Sequence, residues 1–523
     1  MVNLMDKNII CFLLGHAMSA MSLAYIFPIC YALFVLEDRD TSILFVLPFL
    51  ICATLAIILT YKGRRHRQRI RIGESVVVLI AVWWLLALFG AVPFAVTWLS
   101  PVDALLETIS NLTAAGLSLL PQEAPYIFRL WQAVLMWIGS FVFLGMLVTI
   151  LPQVSGSFGL ELSLSQGQVF SPMLGQMKFM ARKILIIYGL LTLLSFLMFK
   201  LAGLNDWDSL SMAMRCISTG GGDFFPAKDS FYVKYAVIFS MLLACGNFLL
   251  YFRLMNTVVP PTSSLHISKS IKAKEFAKKI HQLIRDFFSL MKNNARSNLK
   301  IFFANSEVQF LLVTIFITTL IVSFTIFNND HLTDGNTSFR IALFHVVSYI
   351  STTGITLTDL KNAPDTILFL FFLLALTGGC MGSVTGGLKI IRIIVLFKLA
   401  AIETIKVIHP RMITSVKVNG SAVPMKVVGL ILSFFFLCLV TLFIFSVILS
   451  LSGQPFSTSV AMSAACLSNV GTLPGICESI TFASLPAVMK IFCCCILIVG
   501  RIEIFAFLAM IGLFRSNRER NPW

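Results

Sequence analysis

Charge is scarce in this 523-residue chain: Asp, Glu, Lys and Arg make up 12% of it, against 58% hydrophobic residues and a mean hydropathy of +0.90. A soluble chain of this length needs a far more polar surface, so the composition implies an all-α polytopic membrane protein. No short signal peptide with a small-residue cleavage site is evident, and the first apolar segment, residues 9–35, is long enough to stay as a span. The twelve cysteines have neither zinc-ligand spacing nor a disulfide framework, and they read as small membrane-helix residues. There is no phosphate-cradling loop, nucleophile elbow or dinucleotide fingerprint. Of the seven histidines only His16 and His345 fall in membrane segments, and neither sits beside an acid at metal-ligand spacing. Without that role geometry the chain is not read as an enzyme, and His345 is expected to be hydrogen-bonded packing. The net charge of +16 is confined to clusters between apolar spans, which marks cytoplasmic loops rather than a nucleic-acid surface.

Two spans come first, near residues 9–36 and 42–61, joined by the acidic turn at 37–40. Then comes the most basic short loop, with Lys62, Arg64, Arg65, Arg67, Arg69 and Arg71, which places the N-terminus inside. After it one pattern occurs four times: a long apolar span, a shorter polar segment ending in Ser, Thr or Asn near Gly, and a second long span. The units run 76–98, 102–116 and 127–151; then 184–201, 207–220 and 235–255; then 308–327, 339–354 and 367–400; then 423–451, 456–471 and 485–514. Such repeats must be found before the fold is read. The short segments cannot cross a bilayer that needs about 20 residues, so each is expected to enter as a half-helix and return as extended chain. The domains expected are residues 1–72 (two N-terminal helices and the basic loop), 73–155 and 156–257 (first two pore units), 258–304 (basic linker), 305–405 (third unit, with a broken inner helix) and 406–523 (fourth unit and basic tail).

Basic residues recur on one side, at Lys178, Arg182 and Lys183, at Arg411 and Lys417, and at Arg515, Arg518 and Arg520. The other side carries Asp103, Glu123, Asp206, Asp208, Asp223, Asp229, Asp330, Asp334, Asp359 and Glu478, expected to form an acidic mouth that concentrates cations. The linker's second half reads as a basic amphipathic helix, with membrane lipid or a cytosolic partner as its counterpart.

The four turns read Thr113-Ala-Ala-Gly116, Ile217-Ser-Thr-Gly-Gly221, Ser351-Thr-Thr-Gly354 and Ser468-Asn-Val-Gly471. A selective cation pore surrounds its ion with rings of backbone carbonyls. Ion-facing positions are expected at Ala114, Ala115, Gly116 and Leu117; at Ser218, Thr219, Gly220 and Gly221; at Thr352, Thr353, Gly354 and Ile355; and at Asn469, Val470, Gly471 and Thr472. One Ser-Thr-Gly is uninformative, whereas four in register with a repeat are a strong signal. A second stretch, from Gly378 to Gly387, has five glycines in ten positions within strongly apolar sequence. Each costs a helix about 1 kcal/mol relative to Ala. Irregular backbone at membrane depth is tolerated only beside protein or a watery cavity, so a helix broken next to a permeation path is expected.

These turns, together with residues 83–93, Asp103-Ala-Leu-Leu-Glu107, Gly382-Ser-Val-Thr-Gly-Gly-Leu-Lys389 with Arg392, and Gly500-Arg-Ile-Glu-Ile-Phe505, resemble the TrkH-type subunits of the Trk/Ktr/HKT superfamily of potassium transporters. The resemblance covers nearly the whole chain, and the two extra N-terminal spans favour the TrkH branch. It implies four pore units in pseudo-fourfold array, potassium uptake in a bacterial inner membrane, a homodimer, and a cytosolic nucleotide-binding (TrkA-like) subunit. K+ is then the transported ion at the filter residues, and any nucleotide (NAD, or ATP and ADP) belongs to the partner. The filter glycines fall on Gly116, Gly220, Gly354 and Gly471. The gate falls on Gly378, Gly379, Gly382, Ser383, Thr385, Gly386, Gly387 and Lys389, with the pore arginine at Arg501. The sequence departs from the family at Ala114 and Ala115, where threonines are usual, and at Gly222 and Asp223, where an aromatic and a serine are. The alternative is a sodium- or proton-coupled secondary transporter, for which a midplane carboxylate is expected and Glu503 is the candidate.

Overall fold

The computed structural model describes residues 6–36, 39–64, 72–121, 123–149, 174–222, 224–227, 230–248, 250–251, 302–329, 335–358, 360, 363–412, 414–473, 475–502 and 504. Residues 258–301 of the basic linker, Glu503, residues 505–523, and the acids Asp223, Asp229, Asp330, Asp334 and Asp359 lie outside them.

Helices α1 (Lys7–Tyr31, prolonged by a π-turn at Ala32–Leu36) and α2 (Arg39–Lys62) form an antiparallel pair. Gly15 sets their closeness, since a β-carbon there would lie 2.8 Å from the Thr60 backbone nitrogen. The first unit comprises α3 (Ile72–Gly90) with α4 (Val92–Thr97), α5 (Pro101–Leu112) and α6 (Tyr126–Thr149). The second comprises α7 (Leu174–Leu201), α8 (Asp206–Ser218) and α9 (Phe231–Cys245). The third has α10 (Ser306–Asn329), α11 (Gly335–Ile350), α12 (Asp365–Thr377) and α13 (Ile390–Ile408). A two-stranded hairpin, β1 (Lys417–Val418) with β2 (Ser421–Ala422), leads to the fourth. That unit contains α14 (Met425–Ser450), α15 (Phe456–Ser468), α16 (Ser479–Ala483) and α17 (Ala487–Ile502).

Among the described residues seven helices are long and apolar enough to cross a membrane. Their burial sorts them into an outer and an inner class: 22% of the Thr41–Lys62 and Met425–Ser450 windows is buried, against 78% of Tyr126–Leu147. The outer helices present Leu47, Ile57, Phe316, Phe324, Phe436 and Phe443 outward. No polar partner is needed there, because the helix satisfies its own backbone and lipid is as apolar as the side chains.

Helices α5, α8, α11 and α15 have 12, 13, 16 and 13 residues, too few to span. Proline marks the starts of two of them: Ser100 accepts from the Asp103 N–H ahead of Pro101, and Pro455 precedes Phe456. Their ends are polar yet buried, as with Ser110 and Asn111, Ser218, Ser348, and Ser463 and Ser468. A half-helix that points a polar end at the centre of an apolar bundle is the common element of all four units.

Candidate functional site: the turn ring and the glycine loop

Each half-helix ends in a residue forced into left-handed backbone, namely Ala114, Thr219, Thr352 and Asn469, with φ of 58°, 59°, 55° and 53°. Three of these are not Asn or Gly, so each costs on the order of 1 kcal/mol and must be held by its surroundings. The N–H one residue further on closes back onto the helix, from Ala115 to Ser110 O, Gly220 to Arg215 O, Thr353 to Ser348 O, and Val470 to Ala465 O. The following glycines touch the next turn in cyclic order. A β-carbon on Gly116 would lie 3.3 Å from the Gly220 carbonyl oxygen, and one on Gly354 would lie 2.6 Å from that of Val470. One on Gly221 would strike the Thr353 carbonyl oxygen, and one on Gly471 that of Ala115. The Gly221 N–H also donates to Thr353 O at 3.0 Å. First turn meets second, second meets third, third meets fourth, and fourth meets first.

This cycle corrects one register. Gly221, not Gly220, occupies the place of Gly116, Gly354 and Gly471, since its neighbours and its distance from the left-handed residue are theirs. The turn itself is irregular, because the positive φ falls on Gly222 (73°). With three glycines in a row, spacing from the sequence alone could not choose among them.

The expected gate residues form one compact loop. Helix α12 stops at Gly378 (φ 69°, ψ −166°) and α13 starts after Lys389, itself at φ 71°. Inside the loop Ser383 Oγ and Thr385 Oγ1 lie 2.6 Å apart, Gly379 N–H donates to Thr385 Oγ1 at 3.1 Å, and Lys389 Nζ donates to the Thr385 carbonyl. Outward bonds fasten it on four sides. Gly386 N–H donates to Thr352 Oγ1 of the third turn (2.9 Å), Cys380 N–H to Cys245 O of α9 (3.1 Å), Met381 N–H to Glu307 Oε2 of α10 (3.3 Å), and Arg501 Nη1 to Val384 O (2.7 Å). Arg501 is buried, stacks over Phe143, and donates from Nη2 to Ser140 Oγ at 2.9 Å. Ser140 in turn donates to Ser218 O at 3.1 Å, so loop and second turn share a relay. The Arg392 guanidinium packs over Phe434 on α14, 4.0 Å from the ring centre.

Several buried polar residues near the ring were not expected from the sequence. Glu107 accepts from Asn111 Nδ2 (2.9 Å), Leu119 N–H (2.5 Å) and Gln132 Nε2 (2.7 Å). Arg215 donates to Gly221 O (2.8 Å), Arg129 O (2.8 Å) and Gln132 Oε1 (2.9 Å). Glu307 is the third, buried at the start of α10. Charge inside a half-helix or span is rare enough to have flagged all three, and Glu107 and Glu307 join Glu503, which lies outside the described residues, as carboxylates to weigh for coupled transport. His345 is hydrogen-bonded packing: its Nδ1 lies 2.9 Å from Ile341 O, which leaves Nε2 to accept from Leu357 N–H at 3.2 Å. The acidic mouth is less open than expected, since Asp103 pairs with Lys490 at 2.6 Å and Asp206 pairs with Lys200.

Four units whose half-helices end in one ring of turns, with a broken helix fastened beside it, define a predominantly helical, multi-pass membrane protein. The sequence model of the TrkH family, described as cation transport protein, matches residues 42–515, and the chain belongs to that family. It is 26% identical over 519 residues to the Trk system potassium uptake protein TrkH of Halomonas elongata, covering 97% of this chain and 98% of that one. It is 25% identical over 529 residues to the Trk system potassium uptake protein TrkG of Escherichia coli, covering 98% and 99%. The crystal structure of the potassium transporter TrkH from Vibrio parahaemolyticus superposes with a TM-score of 0.78 over 96% of this chain and 98% of that one, at 23% identity, a likeness of fold. The protein is therefore a multi-pass transporter of the bacterial inner membrane and not an enzyme.

Proposed function

We propose that the chain takes up potassium through a channel-like pore, with the four turns as a backbone-carbonyl filter and the loop from Gly378 to Lys389 as its gate. The observation that carries the reading is the closed cycle of contacts from Gly116 through Gly221 and Gly354 to Gly471. A ring of turns gives carbonyls a common axis, and those carbonyls replace the ion's hydration shell. The half-helices add the negative ends of their dipoles, each about half an elementary charge, where a cation would rest. A cation leaving the ring then meets Arg501 and the glycine loop, and passage requires the bonds to Thr352 and Val384 to give way. The names of the relatives support potassium as the cargo, and the word system in them supports a multi-component assembly. On this reading the chain works as a homodimer, and nucleotide is bound by a cytosolic partner rather than by the chain. Glu107 and Glu307 are held by backbone and amide donors, which supports a passive pore over coupled transport. The test is flux into proteoliposomes holding this protein alone, with potassium, rubidium and sodium compared. Flux that follows the potassium gradient supports the pore, and flux that requires a proton or sodium gradient overturns it.

A further inference from the structure

The second turn is the one least able to hold its own shape. Gly220, Gly221 and Gly222 are consecutive, and glycine leaves a peptide free to rotate between several backbone states. The third turn, by contrast, is tied locally by Ser348 Oγ to Ile355 O at 2.7 Å and by the Ser351–Thr353 hydroxyl pair at 2.8 Å. The first turn has Ala114 and Ala115, which offer no hydroxyl of that kind.

Behind these two weakly tied turns runs a buried bridge with Gln132 of α6 at its centre. Its Nε2 donates to Glu107 Oε1 (2.7 Å) and to Ser118 Oγ (2.9 Å), and its Oε1 accepts from Arg215 Nη2 (2.9 Å). At one end Glu107 takes the Leu119 N–H, just past the first turn. At the other Arg215 Nη1 donates to the Gly221 carbonyl at 2.8 Å, while Phe224 lies across the guanidinium. Glu107 and Arg215 are 0% and 1% exposed. Opposite charges joined through an amide this far from water are costly to separate, so the bridge resists deformation. A planar guanidinium can serve Gly221 and Gln132 at once, which an ammonium group cannot do in the same geometry.

We propose that Arg215 is a positioning residue for ion selection: through Gln132 and Glu107 it fixes the Gly221 carbonyl and the spacing of the first and second turns. This rests on the reading of the turns as a filter. Selectivity in such a ring depends on how many carbonyls reach the ion and how firmly they are held. With the bridge intact the triglycine turn has one peptide orientation at Gly221. Without it that peptide rotates, and the ring accepts a smaller ion more readily.

The experiment compares potassium and sodium flux in proteoliposomes of the full chain for Gln132→Met, Arg215→Lys, Ser118→Ala and, across the ring from the bridge, Gly354→Ser. Monodispersity and the thermal midpoint in detergent establish folding, and Ser118→Ala removes only one hydroxyl. The expected result is a sodium-to-potassium flux ratio raised about tenfold by Gln132→Met and by Arg215→Lys, equivalent to about 1.4 kcal/mol of discrimination. Ser118→Ala is expected to move it the same way by a smaller factor. If Gly354→Ser shifts the ratio while every folded bridge variant leaves it unchanged, the inference falls and the filter reading stands. If none of the four shifts it, both fall.

Discussion

Arg501 donates from Nη1 to the carbonyl oxygen of Val384, 2.7 Å away, so a buried side chain of the last helix holds the middle of the glycine loop. The same guanidinium reaches Ser140, which bonds the Ser218 carbonyl beside the second turn. A buried charge is costly unless its donors find acceptors, and here the acceptor of Nη1 belongs to the glycine loop.

Arg501→Ala is therefore expected to raise potassium flux about tenfold or more, since a charge-assisted bond contributes about 1.5–3 kcal/mol and tenfold is about 1.4 kcal/mol. Arg501→Lys, a point charge on a flexible stem, should fall between the two. Initial rates of potassium-dependent uptake into proteoliposomes read this out. Abolished flux in folded Arg501→Ala protein would show that the loop is not held shut by this contact.

The register of the second turn can be tested at two adjacent glycines. A β-carbon on Gly220 would meet Met136 Cγ and Sδ at 2.8 Å, atoms of a flexible side chain that can turn aside. On Gly221 it would meet the Thr353 carbonyl, with Ile355 N at 3.0 Å, and backbone cannot yield in that way. Gly221→Ala should thus impair potassium selectivity strongly and Gly220→Ala mildly. Equal effects in the flux ratio, or the reverse order, would return the filter position to Gly220.

Glu307 joins three elements: Oε2 accepts from Met381 N–H in the loop and from Asn247 Nδ2 past the end of α9 (3.2 Å). One residue earlier, Ser306 N–H donates to Asn419 Oδ1 of the β1–β2 hairpin at 2.8 Å. Glu307→Ala leaves buried donors without an acceptor, at a cost of about 1–3 kcal/mol. The expected outcome is a lower thermal midpoint in detergent together with raised basal flux. A lowered midpoint with unaltered flux would make Glu307 a purely structural anchor.

How far the sequence reveals this molecule differs between its parts. The spans and half-helices are legible because an apolar run either reaches about 20 residues or does not. The ends of the half-helices are legible from Ser, Thr, Asn and Gly recurring in register, as at Thr352 and Asn469. The break at Gly378 follows from glycine's poor helix propensity. What the sequence does not reveal is pairing between distant residues. Val384 and Arg501 are 117 positions apart, and Ser140 and Arg501 are 361 apart. No period or spacing links such partners. Glu107 and Arg215 were visible as charges in buried segments, but Gln132, the residue that joins them, is an ordinary amide in an apolar helix.

The last prediction uses the repeat itself. Glu107 and His345 both stand nine residues before the ring glycine of their unit, at Gly116 and Gly354, and both accept the backbone N–H three residues after it, from Leu119 and Leu357. With Gly221 as the ring glycine, the same place in the second and fourth units holds Met212 and Met462, both fully buried. Polar and apolar supports thus alternate around the ring. His345→Leu keeps the bulk but leaves the Leu357 N–H without its acceptor, whereas His345→Gln keeps an acceptor on a side chain of similar reach. Met462→Leu exchanges side chains of similar volume and costs about 1.5 kcal/mol at most. A ligand that binds only the folded state stabilises it by RT ln(1 + L/Kd) at free ligand concentration L, so at a fixed concentration weaker binding gives a smaller rise in the thermal midpoint. Potassium protection of the midpoint should therefore shrink in His345→Leu and persist in His345→Gln and Met462→Leu. Protection unchanged in His345→Leu would mean that the outgoing strand of the third turn does not need its histidine to hold the ion.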